Sequence, residues 1–254
     1  MAVDRRAFVR GLLFLAAGSV LAGYDRISRS QWGPQVLNGA EALTSRVQRL
    51  LSPQTSMAEE FAETQVSKTF PSNGTSLPSC PGYRALLAKD FADYRLRVDG
   101  LVKRPADLSI AELRAIDERE QITRHDCVQG WSAIGKWQGT SLAAVLDHVL
   151  VDLDRARFAV FHCFDEMKPG LLYYESLDLE EARHPQTLLA YALNGAPLPV
   201  ANGAPLRLRV ERQLGYKHAK YLSRIELVHS LADIHGGHGG YYEDTEGREW
   251  YAGI

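Results

Sequence analysis

Apolar positions recur along this chain at two spacings, 3.6 and 2.0 residues, and the switches between them mark its elements. An uncharged run from Gly11 to Ala22 follows Arg5, Arg6 and Arg10. As a helix it reaches about 18 Å, short of the roughly 30 Å of hydrocarbon that a membrane span must cross. Between Gly39 and Leu51, the residues Ala40, Leu43, Val47, Leu50 and Leu51 keep helical spacing until Ser52-Pro53 stops it, which predicts an amphipathic helix. From Tyr94 the period shortens: Tyr94, Leu96 and Val98 alternate with Arg95, Arg97 and Asp99, a half-buried strand ended by Gly100. Ser109 and Glu112 have capping-box spacing, as do Asp178 and Glu181, and Thr140 or Ser141 can cap a third helix carrying Leu142, Val145, Leu146 and Val149 on one face. Phe158 to Phe164 is continuously apolar and suits a buried strand, and Tyr221 to Val228 reads as another. Leu206, Leu208 and Val210 alternate with Arg207, Arg209 and Glu211, and Asn194-Gly195 and Asn202-Gly203 are turn signals. Short strands mixed with short helices, without a βαβ rhythm or an internal repeat, predict an α+β fold.

Composition narrows the function classes. With 45% hydrophobic and 24% charged residues among 254, the chain folds as a globular protein and is neither collagen-like, coiled-coil nor disordered. Lys plus Arg number 29 against 31 acidic residues, so the basic footprint that nucleic-acid binding needs is missing, and nucleic acid is not expected as a partner. The first 22 residues have a signal-peptide layout, and Arg5-Arg6 followed by Phe8 resembles a twin-arginine export signal, which implies a periplasmic protein. Val20-Leu21-Ala22 fits a cleavage site, and Tyr24 stands where a lipoprotein box would carry its acylated cysteine, so no lipid anchor is expected.

Three cysteines, Cys80, Cys127 and Cys163, leave at least one thiol unpaired within an exported chain. Cys127 lies between the cationic Arg124-His125 pair and a Gly130-Trp131 segment where backbone can approach a ligand. From this context alone three readings stay open: a nucleophile with His125 as its base, a soft-metal ligand, and an inert buried thiol.

Three segments then carry a resemblance: TRHDCVQGWSAIGKWQG at 123–139, HPQTLLAYALNGAPLPVANGAPLRLRV at 184–210 and LGYKHAKYLSRIEL at 214–227. In this order and spacing they resemble the molybdopterin-binding domain of the sulfite oxidase superfamily, over roughly residues 70–254. The resemblance implies mixed sheets with short helices and a molybdenum-molybdopterin (Mo-MPT) cofactor, with Cys127 as the thiolate ligand of molybdenum. A soft thiolate suits a metal whose other protein-independent ligands are also sulfur. It further implies cofactor contacts from Asn202 and Arg207, from His218, Ala219 and Lys220, and from Asn73 and Cys163. Read without it, Arg207 is a solvated residue on a strand's outer face, and Cys163 is a core thiol or a disulfide partner of Cys80.

The implied activity is a two-electron oxygen-atom transfer on a small substrate, a sulfur oxyanion or a sulfoxide, with Arg124 available near the site. The alternatives are an exported binding module that keeps the fold and a cysteine hydrolase. The chain departs from the periplasmic methionine sulfoxide reductase branch at Gln129, where those relatives have Glu, which speaks against copying their substrate. It carries no C-x-x-C-H haem motif, so electrons are expected to come from or go to a separate protein such as a cytochrome or a membrane quinone-linked subunit. The expected organisation is a signal at 1–22, an arm at 23–69 and a catalytic domain at 70–254. In the tail, His235 and His238 read as a solvated loop, and Tyr241, Tyr242, Trp250 and Tyr251 as an aromatic closure.

Overall fold

The structure is a computed structural model and describes residues 56–253. The export signal and the helix expected over 39–51 lie outside the described residues. Residues Gln54–Ile254 form one compact unit. Its elements run α1 (Pro81–Leu87), β1 (Leu96–Gly100), β2 (Ala106–Leu108), α2 (Ile110–Ile116), β3 (Arg119–Cys127), β4 (Trp131–Ser141), α3 (Leu142–His148), β5 (Phe158–Lys168) and β6 (Leu171–Asp178). They continue through α4 (Leu179–Ala182), β7 (Leu188–Leu193), β8 (Ala196–Pro197), β9 (Arg207–Arg209), β10 (Leu222–Val228) and α5 (Tyr241–Glu246).

The strands make two mixed-length sheets, β2-β1-β10-β5-β6 and β3-β4-β7-β8, with β9 also pairing β7. β1 runs parallel to β10, and the other named pairs are antiparallel. The α+β class and the mixed sheets with short helices are therefore as expected. Ser109 caps α2 with the reciprocal Ser109 and Glu112 bonds of a capping box. Asp178 caps α4 by accepting from the Glu181 N–H at 2.8 Å. Between β7 and β8 the chain turns through Asn194 at φ 54 and Gly195 at φ 78, the left-handed pair that a two-residue hairpin requires.

Leu142, Val145, Leu146 and Val149 are fully buried with Leu96, Val98, Phe161 and Ile225 in the main core. At roughly 1.5–3 kcal/mol for each large apolar side chain removed from water, this core holds the sheets at a fixed spacing. A smaller cluster around Trp137, Ala190 and Leu193 closes the second sheet. Residues 56–69, read from sequence as arm, run against that sheet: Phe61 N–H donates to Ile122 O at 2.8 Å and Ser67 N–H to Ile134 O at 2.9 Å.

One sequence expectation fails at β9. Read without the family resemblance, Arg207 is a solvated residue on a strand's outer face, yet Arg207, Leu208 and Arg209 are all fully buried. The guanidinium of Arg209 meets the Glu211 carboxylate and both arginines lie over the Trp137 ring, at 5.1 Å and 4.3 Å, so tertiary partners replace water on the polar face.

Candidate active site

Strand parity decides which side chains of β3 reach the interior. Gln121, Thr123, His125 and Cys127 are buried, whereas Arg124 points the other way, 56% exposed at its side chain and paired with Asp126 at 3.0 Å. Cys127 is the last residue of β3, and its carbonyl accepts from Gly130 N–H at 2.9 Å in the turn to β4. Gly130 has φ +87 there, a conformation open to glycine at little cost. The thiol thus stands at the mouth of a hairpin rather than within it.

Cys127 lines an open cleft whose walls come from several elements. Both sheets contribute: Cys127 ends β3, while Asp165 and Met167 come from β5 and Tyr173 from β6. Asn73 and Thr75 form one wall, His218 and Lys220 another, and Tyr242 and Arg248 come from the C-terminal tail. Of the residues proposed from sequence, Asn73, Cys127, His218 and Lys220 meet at this cleft. Arg124 faces away from it. Asp165, Met167, Tyr173 and Arg248 were not anticipated, since each is ordinary in its local sequence and becomes a wall residue only through the sheet pairing.

The other proposed residues stand behind the wall. Arg207 donates from Nη1 to Asn202 O at 2.9 Å and from Nη2 to His218 O at 3.2 Å. Asn202 donates from Nδ2 to Pro71 O at 3.4 Å, and Ala219 is buried with its carbonyl accepting from Leu208 N–H at 2.8 Å. Cys163 is a fully buried free thiol, and burial pushes it well above the usual thiol range. Cys80 is also free and caps α1, so no disulfide joins them. In the tail, His238 is exposed and held by Asp244 at 2.9 Å, while His235 stacks on Tyr174. Tyr241 is buried and Trp250 donates to Ser176 Oγ at 2.8 Å, the closure expected from the aromatic pattern.

The region behind Cys127 is strongly cationic. Burial, then Arg209, lowers Arg207 to about 9. Burial, then Arg207, lowers Lys220 to about 7, while its ammonium donates to the Asn73, Thr75 and Ala201 carbonyls, which favours the charged form. His125 is held neutral by burial and by Arg209. Arg209 has only donors, so its 2.8 Å contact fixes His125 Nδ1 as an acceptor and leaves the hydrogen on Nε2. A ring in that tautomer has no free lone pair to serve as base for Cys127, which removes the hydrolase reading.

His125 Nε2, Trp137 Nε1 and Arg207 Nε are buried donors without an acceptor. Phe70 packs edge-on against Trp137 at 5.0 Å and against His125 at 5.8 Å, so these donors share one neighbourhood. Each buried donor left unpaired costs about 1–3 kcal/mol. These donors lie behind the cleft wall; at the wall itself the Lys220 ammonium and Arg248 guanidinium give the cationic lining an anionic ligand requires, and the Cys127 thiol supplies a soft ligand beside them. This lining fits a phosphate-bearing pterin with a sulfur-coordinated metal.

Fold and cleft together define a molybdopterin-dependent oxidoreductase. The chain belongs to the oxidoreductase molybdopterin binding domain family, whose model matches residues 84–234. It is 34% identical over 249 residues to an Azospira oryzae protein provisionally named protein-methionine-sulfoxide reductase subunit YedZ1, covering 98% of this chain and 87% of that one. It is 36% identical over 153 residues to the protein-methionine-sulfoxide reductase catalytic subunit MsrP of Xanthomonas campestris, covering 56% of this chain and 47% of the relative. The fold is shared with the sulfane dehydrogenase SoxCD of Paracoccus pantotrophus, at a TM-score of 0.51 and 20% identity over 61% of this chain and 41% of that one.

Proposed function

We propose that this protein is an exported sulfoxide reductase that receives electrons from a separate electron-transfer protein. The observation that carries the substrate class is the lining of the cleft mouth. Val128, Met167, Tyr173 and Tyr242 present apolar and aromatic surface, and Gln129 is neutral. A sulfite dianion calls for several converging arginines, whereas the described lining holds one, Arg248, and Arg124 faces away. A sulfoxide is neutral, with a polar oxygen and apolar flanks. Those flanks match the mouth.

Cys127, Asn73 and His218 at the wall, backed by Arg207 and Lys220, are the residues that would hold the cofactor. When bound, molybdenum-molybdopterin supplies a centre that exchanges an oxygen atom and two electrons with a substrate. The chain's own contributions are a fixed thiolate ligand, a cationic wall for the phosphate and an apolar mouth that orients the sulfoxide. Export through the twin-arginine signal is supported by Arg5-Arg6 and Phe8 ahead of the uncharged run.

The test is metal analysis on protein matured through its own signal, beside Cys127→Ser, followed by turnover with reduced viologen and methionine sulfoxide or with ferricyanide and sulfite. The expected result is close to one molybdenum per wild-type chain, sulfoxide reduction, and no turnover by the folded variant. Sulfite oxidation without sulfoxide reduction would overturn the substrate reading.

A further inference from the structure

Asp165 is the lining residue whose chemistry the cofactor does not account for. It sits on β5, is 4% exposed, lines the same cleft as Cys127, and its Oδ1 has no hydrogen-bond partner. A buried carboxyl oxygen without a partner is costly, and such groups gather where a ligand or a proton is to be handled.

Oxygen-atom transfer needs protons: a sulfoxide, two electrons and two protons give a sulfide and water. Most other titratable groups of the cleft are committed or hold their protons. The ammonium of Lys220 has three N–H bonds and gives them to three carbonyls. Tyr173 donates its hydroxyl to Tyr216 O at 2.5 Å, and burial holds its proton well above the usual phenol range. His218 is neutral, and its Nε2 contacts Gln213 O at 2.9 Å, which makes that nitrogen the donor. Arg248 keeps its proton at any working pH. Tyr216 gives its hydroxyl to Glu249 O at 2.7 Å, and burial holds the Tyr242 proton above the usual phenol range. Among the described lining residues Asp165 is the carboxylic acid, and its Oδ1 has no hydrogen-bond partner.

We propose that Asp165 is the acid of the reaction, giving one proton to the substrate oxygen as the sulfur–oxygen bond breaks and regaining it from solvent through the open cleft. The proposal rests on the sulfoxide reading above. The sulfur gains the two electrons from a reduced carrier, the second proton comes from solvent, and the oxygen leaves as water. The surroundings of the carboxyl agree with this role. Burial raises Asp165 to about 6, opposed by its own backbone, Lys220 and Thr75. The titratable groups that feel it are Cys163 on its own strand, Tyr83 on α1, Lys220 and Tyr221 on the segment before β10, and Tyr242 on α5. His218 and Arg248 complete the cleft wall. Lys220 is the cation of this set that stabilises the carboxylate, and it is held on its carbonyls. The proton is therefore held near neutrality and can leave.

The experiment compares holoenzyme with Asp165→Asn and Asp165→Glu, each checked for molybdenum content, using methionine sulfoxide and reduced viologen from about pH 5 to 8. The expected result is a wild-type kcat that falls as pH rises through about 6. Asp165→Asn should lose roughly 100- to 1000-fold in kcat, with KM little changed and the limb abolished. Asp165→Glu should restore part of the rate and a shifted limb. A second readout is independent of turnover: infrared titration of protein with isotope-labelled aspartate, where a protonated carboxyl band should titrate near pH 6 and be missing from Asp165→Asn. Full activity with an unchanged limb in metal-loaded Asp165→Asn would overturn the proposal. If the wild type carries molybdenum and reduces no sulfoxide, the substrate reading fails. The infrared arm then decides: a band missing from Asp165→Asn keeps Asp165 as the proton-holding group of the cleft, and its presence in both proteins removes it.

Discussion

Replacing Arg209 by Met tests whether the buried ion pair behind the cleft holds the second sheet together. Arg209 donates to both Glu211 oxygens, from Nε at 3.0 Å and Nη2 at 2.5 Å, and from Nη1 to His125 Nδ1 at 2.8 Å. Both side chains of the pair are 0% exposed, so no water replaces a lost partner. Met removes the charge and leaves Glu211 accepting from Gln121 Nε2 at 2.8 Å. Breaking a buried pair from one side costs about 3–5 kcal/mol. At roughly 2–4 °C per kcal/mol for a unit of this size, Tm should fall by roughly 6–20 °C in a circular-dichroism melt at matched molybdenum content. Arg209→Met with Glu211→Leu leaves no lone charge and should recover most of the loss. Nitrogen NMR on His125 adds a second readout, because without Arg209 the Nε2–H tautomer is no longer enforced. A single variant within about 1 kcal/mol of wild type, or a double variant no better than the single, would refute the reasoning.

Three further outcomes are expected. Asp165 is raised from 3.8 in the unfolded chain to about 6 in the folded one, so the folded state favours its proton. That contribution is present below about pH 4 and is lost as pH rises to about 6, leaving a cost of about 3 kcal/mol above it. Urea unfolding should therefore show Asp165→Asn more stable than wild type at about pH 8 and equal to it at about pH 4; equal stability at both would contradict the burial of the charge. Lys217 is fully buried and bridges Glu175 at 3.0 Å and Glu243 at 2.8 Å. Lys217→Met should lower stability by about 3–5 kcal/mol, with partial recovery as pH falls and the buried Glu175, already raised, takes up a proton, and a pH-independent loss would count against it. Gly139 lies at the irregular pairing of β4 with β7, where an added Cβ would come 2.5 Å from Leu189 O. Gly139→Ala should destabilise by about 1–3 kcal/mol in the same assay, and a neutral result would mean the strands can part there.

Local rules were enough for the elements whose signals are local. The Ser109 and Glu112 box, the Asn194-Gly195 hairpin turn and the apolar face of α3 depend on residues three or four apart, and all three are present where the pattern puts them. β9 shows where that logic stops. Its alternation implies a wet face, but Trp137 of β4 and Glu211 just past the strand give Arg207 and Arg209 partners inside the molecule. A two-residue period reports that the faces differ in chemistry and does not report that one of them meets water.

The site divides in the same way. Cys127 was legible because a thiol between cations and glycine is unusual in itself, and the family segments fixed its role. Arg124 was misplaced because closeness in sequence was taken for closeness in space, and along β3 a shift of three residues reverses the face. Asp165 lies 38 positions beyond Cys127 on the other sheet, and no window of sequence joins them. What joins them is the cleft that the end of β3 and β5 both line, and the proton chemistry proposed for Asp165 exists only because burial takes its carboxyl out of water. Moving the carboxyl back into solvent, by opening the cleft from the Tyr242 side with Tyr242→Ala, should shift the infrared midpoint of Asp165 down toward 3.8 with the residue itself unchanged. An unmoved midpoint would show that the tail does not keep water from Asp165, and that the desolvation comes from β5 and β6 alone.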